Sequence, residues 1–423
     1  MIKFRYSLNM ISKSKLKINK NNYLNSGELL YGIVFFLFIM LYVRKLIQFA
    51  SGLQYPTWGY STFLVNYEGG FVRRGFAGQV LLMIFKTTSL TPYISLLFLF
   101  LFLFTFIIFL WHRIIRKFDI RYRIFLLLNP AFIVMPLQQD TSLLVKEWII
   151  GAFLLANTLI AIKVFKNEIS KDFFKIYFLV FIIPITFILN LVHEEQFFLL
   201  PIYIFIYILG VNAIPIQFKD LLKNKILIFF TSTQLTALSA VIYFHGNSGQ
   251  ANKIYNSIPS NLHAKKYIID SVGWTLKDSI ALTLNLWKSP ATIFTFLICL
   301  IIGPFAIYYI FNKLQLKFLV RDFFLISPIF SLFFVGWDWG RWIILLTFAV
   351  ISLCLINSRI YTEKDLMSQK AKSMTFATLV WVLAIVFLMI CLRVPNCCVQ
   401  PWYGFTTFDQ IVENLSALNK IFV

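Results

Sequence analysis

Charge is what this chain has least of. Asp, Glu, Lys and Arg make up 13% of its 423 residues, about half of the ~25% usual in a globular protein. That deficit excludes a soluble domain of ordinary composition. Acids are the scarcer sign, 18 Asp and Glu against 39 Lys and Arg, for a formal net charge of +21. Cysteine is also sparse, and its five positions follow no metal-ligand spacing. Cys299, Cys354 and Cys391 fall within or at the end of apolar runs. Cys397 and Cys398 are adjacent, where a bridge would be strained, so an ordinary pair of half-buried thiols is expected there. There is no internal repeat, no low-complexity tract, no linker between domains and no visible nucleotide-sugar fold.

Apolar residues fill the space. The chain is 59% hydrophobic and 18% aromatic, with 48 phenylalanines, and its mean hydropathy is +0.77. The expected fold is all-α: a polytopic transmembrane helical bundle forming one integral-membrane domain over 1–423. A crossing helix needs ~20 mostly apolar residues. By that ruler eleven spans are expected, near 29–50, 91–111, 124–138, 147–164, 175–192, 196–214, 226–243, 289–311, 322–336, 343–358 and 375–393. Pro130, Pro136, Pro184, Pro201 and Pro328 fall inside spans and are expected to kink them. The first run follows a basic tail, 1–28, and lacks a small-residue cleavage site, so it reads as a retained anchor.

In a soluble protein this net charge would suggest nucleic acid. Here 25 of the 39 basic residues lie in the tail and in alternate short loops, where they set topology instead, and no nucleic-acid partner is expected. The bias puts the N-terminus in the cytoplasm and the C-terminal segment 394–423 outside. The other large external segments are then 51–90 and 244–288. Residues 75–87 are apolar but short, and are expected to lie as a helix in the outer interface, with a short tilted span as the rival. The 244–288 segment is long enough for small helices of its own, either capping a site or merely joining two spans.

This topology gathers the unusual charges on one side. Asn66-Tyr67-Glu68-Gly69-Gly70-Phe71-Val72-Arg73-Arg74-Gly75 joins flexible backbone to two arginines able to fork onto phosphate oxygens. Glu68 is a candidate base; the plainer reading is an interfacial anchor with Glu68 as counter-ion. His193-Glu194-Glu195 sits in a very short turn and suits acid/base chemistry or a divalent metal; the plainer reading is two acids meeting a helix dipole. Gly336-Trp337-Asp338-Trp339-Gly340-Arg341-Trp342 combines an aromatic belt, or sugar-stacking faces, with an Asp338–Arg341 pair at helical spacing. Gln138-Gln139-Asp140 is expected to be a capping turn, and Lys146 and Glu147 are expected to snorkel. Polar Thr231, Ser232, Thr233, Gln234 and Thr236 suit interhelical hydrogen bonds. His112 is expected to be solvated.

With those residues in hand, the chain resembles membrane proteins of bacterial surface-polysaccharide synthesis. Two groups fit: O-antigen or capsule repeat-unit polymerases (Wzy-type), and GT-C glycosyltransferases that use polyprenyl-phosphate-linked sugars. In the second group a carboxylate early in the first external loop is the base and interfacial helices follow it, as Glu68 and 75–87 do here. The Asp-Glu or Asp-x-Asp pair of many GT-C enzymes is missing from this sequence. The resemblance implies a transferase of the bacterial inner membrane, acting at the outer leaflet on polyprenyl-phosphate- or pyrophosphate-linked sugars. Its catalytic candidates are Glu68, then Glu194 and Asp338. Arg73, Arg74 and Arg341 would hold phosphate; His193, Glu195, Trp337, Trp339 and Tyr67 would hold sugar; a divalent cation, Mg or Mn, would be the cofactor. A lipid-linked oligosaccharide flippase or other transporter, and a non-catalytic assembly subunit, are the competing expectations.

Overall fold

The computed structural model describes residues 26–50, 58–116, 118–138, 144–211, 223–312, 316–336 and 338–360, with five further positions between 380 and 387. All regular structure among them is helical. Seven helices are long and apolar enough to cross a membrane: Gly27–Ile47, Pro92–Ile115, Glu147–Phe165, Lys171–Val192, Lys225–Tyr243, Thr292–Asn312 and Trp339–Asn357. Each overlaps an expected span. The expected spans at 322–336 and 196–214 correspond to shorter or partly described helices, Leu316–Val335 and Leu200–Gly210. Of the span expected at 375–393 only those five positions are described, and the segment 394–423, Trp337, Gln139, Asp140 and the cysteines beyond Cys354 lie outside the described residues.

The helix begun by Trp339 is the axis of the bundle, with its whole apolar window buried. Apolar on every side, it must be surrounded by other helices. Its principal neighbour is the helix begun by Glu147, where Gly151 faces the ring of Phe348 so closely that any Cβ would strike it. A small residue at that point lets the two axes come together.

The expected span at 124–138 is corrected. A helix over Ile120–Leu127 stops, and buried non-helical backbone carries the chain to a single turn at Met135–Gln138. Asn129 precedes Pro130, and a residue before proline is pushed out of the helical region. Such backbone is tolerated at membrane depth only inside protein. Its neighbour is also broken: Gly303, before Pro304, is non-helical at φ −83°, ψ −109°. The Asn129 side-chain amide donates to the Ile302 carbonyl at 2.8 Å, joining the two breaks. Pro184 similarly follows a π-helical turn at Phe178–Ile182, as expected where a missing N–H disturbs the ladder.

One end of the bundle carries a helical cap. Residues 244–288 form short helices, including Ser248–Ser257 and Leu276–Trp287, and pack on the chain between Trp58 and Arg74. Asn66 donates to Ser257 Oγ at 3.2 Å, the Lys265 N–H to Ser61 Oγ at 3.1 Å, and the Arg73 N–H to the Phe244 carbonyl at 3.0 Å. Gly70 turns this loop at φ 107°, a conformation side chains resist. The short helix expected at 75–87 is present as Gly75–Thr88. At the other end Asp322 accepts from Tyr308 Oη at 3.0 Å, Asn357 Nδ2 at 2.7 Å and Arg321 Nε at 2.9 Å. His112, expected to be solvated, is half-buried: it bonds Tyr31 Oη at 2.8 Å and packs on the Phe35 ring.

Candidate functional site

Three helix ends meet beneath the cap. Glu147 opens one helix, His193 ends another in extended backbone (φ −161°), and Asp338 immediately precedes the axial helix. Glu194 and Glu195 follow in a tight helical turn. Arg74 reaches the same place from the first loop with its backbone in the left-handed region, φ 65°. That conformation is uncommon for a side-chain-bearing residue, and its guanidinium is anchored by Glu194.

Arg341 is the centre of the inner layer. Its Nε donates to Glu147 Oε1 at 2.7 Å and its Nη1 to Asp338 Oδ2 at 2.8 Å. Its Nη2 bonds Glu147 and lies 2.6 Å from His193 Nε2. The Trp58 ring covers the guanidinium, 4.9 Å from centroid to Cζ, an additional cation–π contact. Glu195 accepts from Trp342 Nε1 at 2.7 Å. Lys146 donates to the Val192 carbonyl at 3.2 Å and stands over the Phe63 ring.

The outer layer is Arg73, Arg74 and Glu194, whose side chains keep 18%, 23% and 20% of their exposure. Arg74 forks onto Glu194, Nε to Oε2 at 3.0 Å and Nη2 to Oε1 at 2.5 Å. Arg73 donates to the carbonyls of Ser271 and Trp274 at 3.0 and 3.1 Å, binding loop to cap. Its buried Nε–H has no acceptor among the described residues.

These contacts set protonation. Burial works to raise Glu194, but Arg74 and the other nearby cations hold it well below the usual carboxylate range. Glu195 goes the opposite way, pushed well up by burial and by the Glu147 charge. Burial also raises Asp338 against the pull of Arg341. Burial, with Arg74 next, drives His193 well below the ordinary histidine range.

Lys146 is pushed down to about 7 by burial and by the charges of Arg74 and Arg341, with Glu194 and Glu147 opposing. An unfolded lysine titrates near ~10.4, so from about pH 7 to 10 the unfolded chain binds more protons and stability rises with pH. The full effect of this one group is on the order of 5 kcal/mol. Thermal unfolding in detergent is therefore expected to move to higher temperature across that window, and Lys146→Met to flatten the rise. Identical pH slopes for the two proteins would mean that this ammonium is solvated.

The structure brings together Arg73, Arg74, His193, Glu194, Glu195, Asp338 and Arg341. Glu68 does not join them: its carboxylate accepts from Lys86 Nζ at 3.0 Å on the exposed surface. Arg341 is not poised as a phosphate clamp, because buried acids surround it. Trp339 is not an exposed stacking face; it is fully buried against Trp287 and Phe296. Tyr67 stacks on Phe71 at 4.9 Å, and its buried hydroxyl has no partner among the described residues. Lys146 and Glu147 do not snorkel; both are buried inside the cluster. Sequence reasoning also passed over Trp58, and Trp342, read as a belt or stacking ring, is instead a buried donor to Glu195; for Lys146 and Glu147 a signal was there to be read. The available signal was an adjacent base and acid at the very start of an apolar run. Polar Gln234 does bridge helices, bonding Asn190 at 2.6 Å and Thr186 at 2.9 Å.

Glu147, His193 and Glu195 each place one potential ligand atom within 4.8 Å of the others. In this arrangement they do not fit a cation. A guanidinium is permanently protonated and only donates, so His193 Nε2 must accept from Arg341 and Nδ1 must carry the ring proton. The Glu195 N–H also points at Nδ1, at 3.4 Å. A neutral imidazole has one acceptor, and the short charge-assisted contact prevails over the long one. Neither nitrogen is left for a metal.

Comparison with protein-family models, with curated proteins and with solved structures finds no match to this chain.

Proposed function

We propose that this protein is a membrane glycosyltransferase or polymerase joining polyprenyl-phosphate- or pyrophosphate-linked sugars, at the outer leaflet of a bacterial inner membrane during capsule or O-antigen synthesis. The observation that carries this reading is the two-layered cluster. Only its outer layer, Arg73, Arg74 and Glu194, reaches solvent appreciably, and it lies where apolar helices end. A phosphate arriving there competes with Glu194 for the Arg74 fork and meets the Arg73 Nε–H, which has no acceptor among the described residues. The acceptor hydroxyl attacks the anomeric carbon as its proton passes to a carboxylate, and the bond from that carbon to the phosphate oxygen breaks. The departing oxygen carries the new negative charge to the arginines, where electrostatic stabilisation has most leverage. Among the acids Asp338 suits the base best, since its Oδ1 has no partner among the described residues and burial raises its proton affinity.

The test is sugar transfer by purified protein in proteoliposomes supplied with labelled polyprenyl-diphosphate sugar. New glycosidic bonds are expected, and Arg74→Ala is expected to slow their formation ~10²- to 10³-fold. A wild-type protein that forms no such bond sinks the reading. One observation favours a second reading, a flippase or other transporter: the adjacent breaks at 129–134 and at Gly303–Pro304 are of the kind that transporters place at substrate sites. Movement of labelled lipid across the bilayer without a new bond would select it.

A further inference from the structure

We infer that Arg341 closes a latent divalent-cation site formed by Glu147, His193 and Glu195, its guanidinium standing where a first-row metal would gather these side chains. This goes beyond the proposed transferase activity and does not depend on it. One imidazole and two carboxylates are a donor set for Mn, Co or Zn, and all three residues are at most 4% exposed. With one ligand atom taken from each residue, the three atoms lie within 4.8 Å of one another. Ligand atoms around one such ion sit roughly 3.4 Å apart, so only small movements are needed. Glu147 Oε2 and Glu195 Oε2 are buried and take no bond from any other group among the described residues; the two carboxyl groups bond each other, so both already face one point.

Arg341 blocks the set in three ways. It bonds two of the three ligands directly, Glu147 and His193. By donating to Nε2 it fixes the imidazole with its proton on Nδ1, so neither ring nitrogen can ligate. Its permanent charge, together with Arg74 and Lys146, repels a second cation. Removing the guanidinium reverses all three. The imidazole tautomer becomes free, two carboxylates lose their main counter-charge, Asp338 Oδ2 is released as a further oxygen donor, and a space the size of the lost head group remains for an ion and its waters.

The experiment is Co²⁺ binding by full-length protein in detergent, followed by the visible d–d absorption and by thermal unfolding. The wild type is expected to take up no saturable ion, and EDTA to leave its unfolding temperature unchanged. Arg341→Ala is expected to bind about one Co²⁺ per chain and to be stabilised by it, with affinity falling ~10-fold or more when His193→Ala is added. Saturable Co²⁺ uptake by the wild type that weakens in Glu147→Gln would overturn the inference, and so would a folded Arg341→Ala protein that binds none. If Arg341→Ala does not fold, ¹⁵N-histidine spectra of the wild type decide, with His193→Ala identifying the signal. The proton on Nδ1 supports the inference, and a proton on Nε2 ends it.

Discussion

Replacing Arg341 by alanine is expected to cost the bundle about 3–5 kcal/mol, the range for removing one partner of a buried ion pair. Glu147 is fully buried, and Arg341 supplies its strongest contacts. Without the guanidinium, Glu147 and Asp338 are left as uncompensated charges beside Glu195. The loss has a signature beyond a lower unfolding temperature. Adding Glu147→Gln to Arg341→Ala should return part of the stability, because it removes one of the stranded charges. If the double variant is weaker by the full sum of the single effects, the two residues do not act as a pair. Denaturation in a constant detergent, with retained helical signal as the control for folding, measures both outcomes.

The second large effect separates two carboxylates that look alike in the sequence. Asp338→Asn is expected to slow sugar transfer ~10²- to 10⁴-fold, the usual contribution of a general base, whereas Glu68→Gln is expected to leave it within ~2-fold, since an exposed ion pair contributes little. Asp338 touches Arg341 and holds one oxygen without a partner among the described residues, while the Glu68 carboxylate engages Lys86 at the surface. Donor binding should change little in Asp338→Asn, because the phosphate-facing guanidiniums belong to Arg73 and Arg74. A defect confined to binding would remove Asp338 from the role of base. A large loss in Glu68→Gln would restore the first-loop acid to it.

Much of the architecture was legible in the residues themselves. Long apolar runs fix where helices cross, because an unpaired backbone amide inside a bilayer is intolerable and helices satisfy it locally. Asp338 and Arg341 bond each other three residues apart, as their spacing suggested. The segment 244–288 folds into small helices over the site-bearing end, one of the two outcomes its length allowed. The break at Asn129–Pro130 was only half legible. Proline announced a kink, but not that Asn129 would bond the Ile302 carbonyl of a second broken helix.

By itself, the sequence determined that this is an all-helical membrane protein whose rare charges collect at helix ends, since composition and run length act locally and need no partner. The tertiary structure alone decided which charges meet. Arg341 finds Glu147 across 194 positions and His193 across 148, and Arg74 finds Glu194 across 120. Helical periodicity says which face a residue occupies, not which distant helix covers that face. Burying a charge is unfavourable unless another is brought to it, so partners were chosen by the packing of whole helices, and Glu68 was left at the surface while Lys146 and Glu147 were drawn inside.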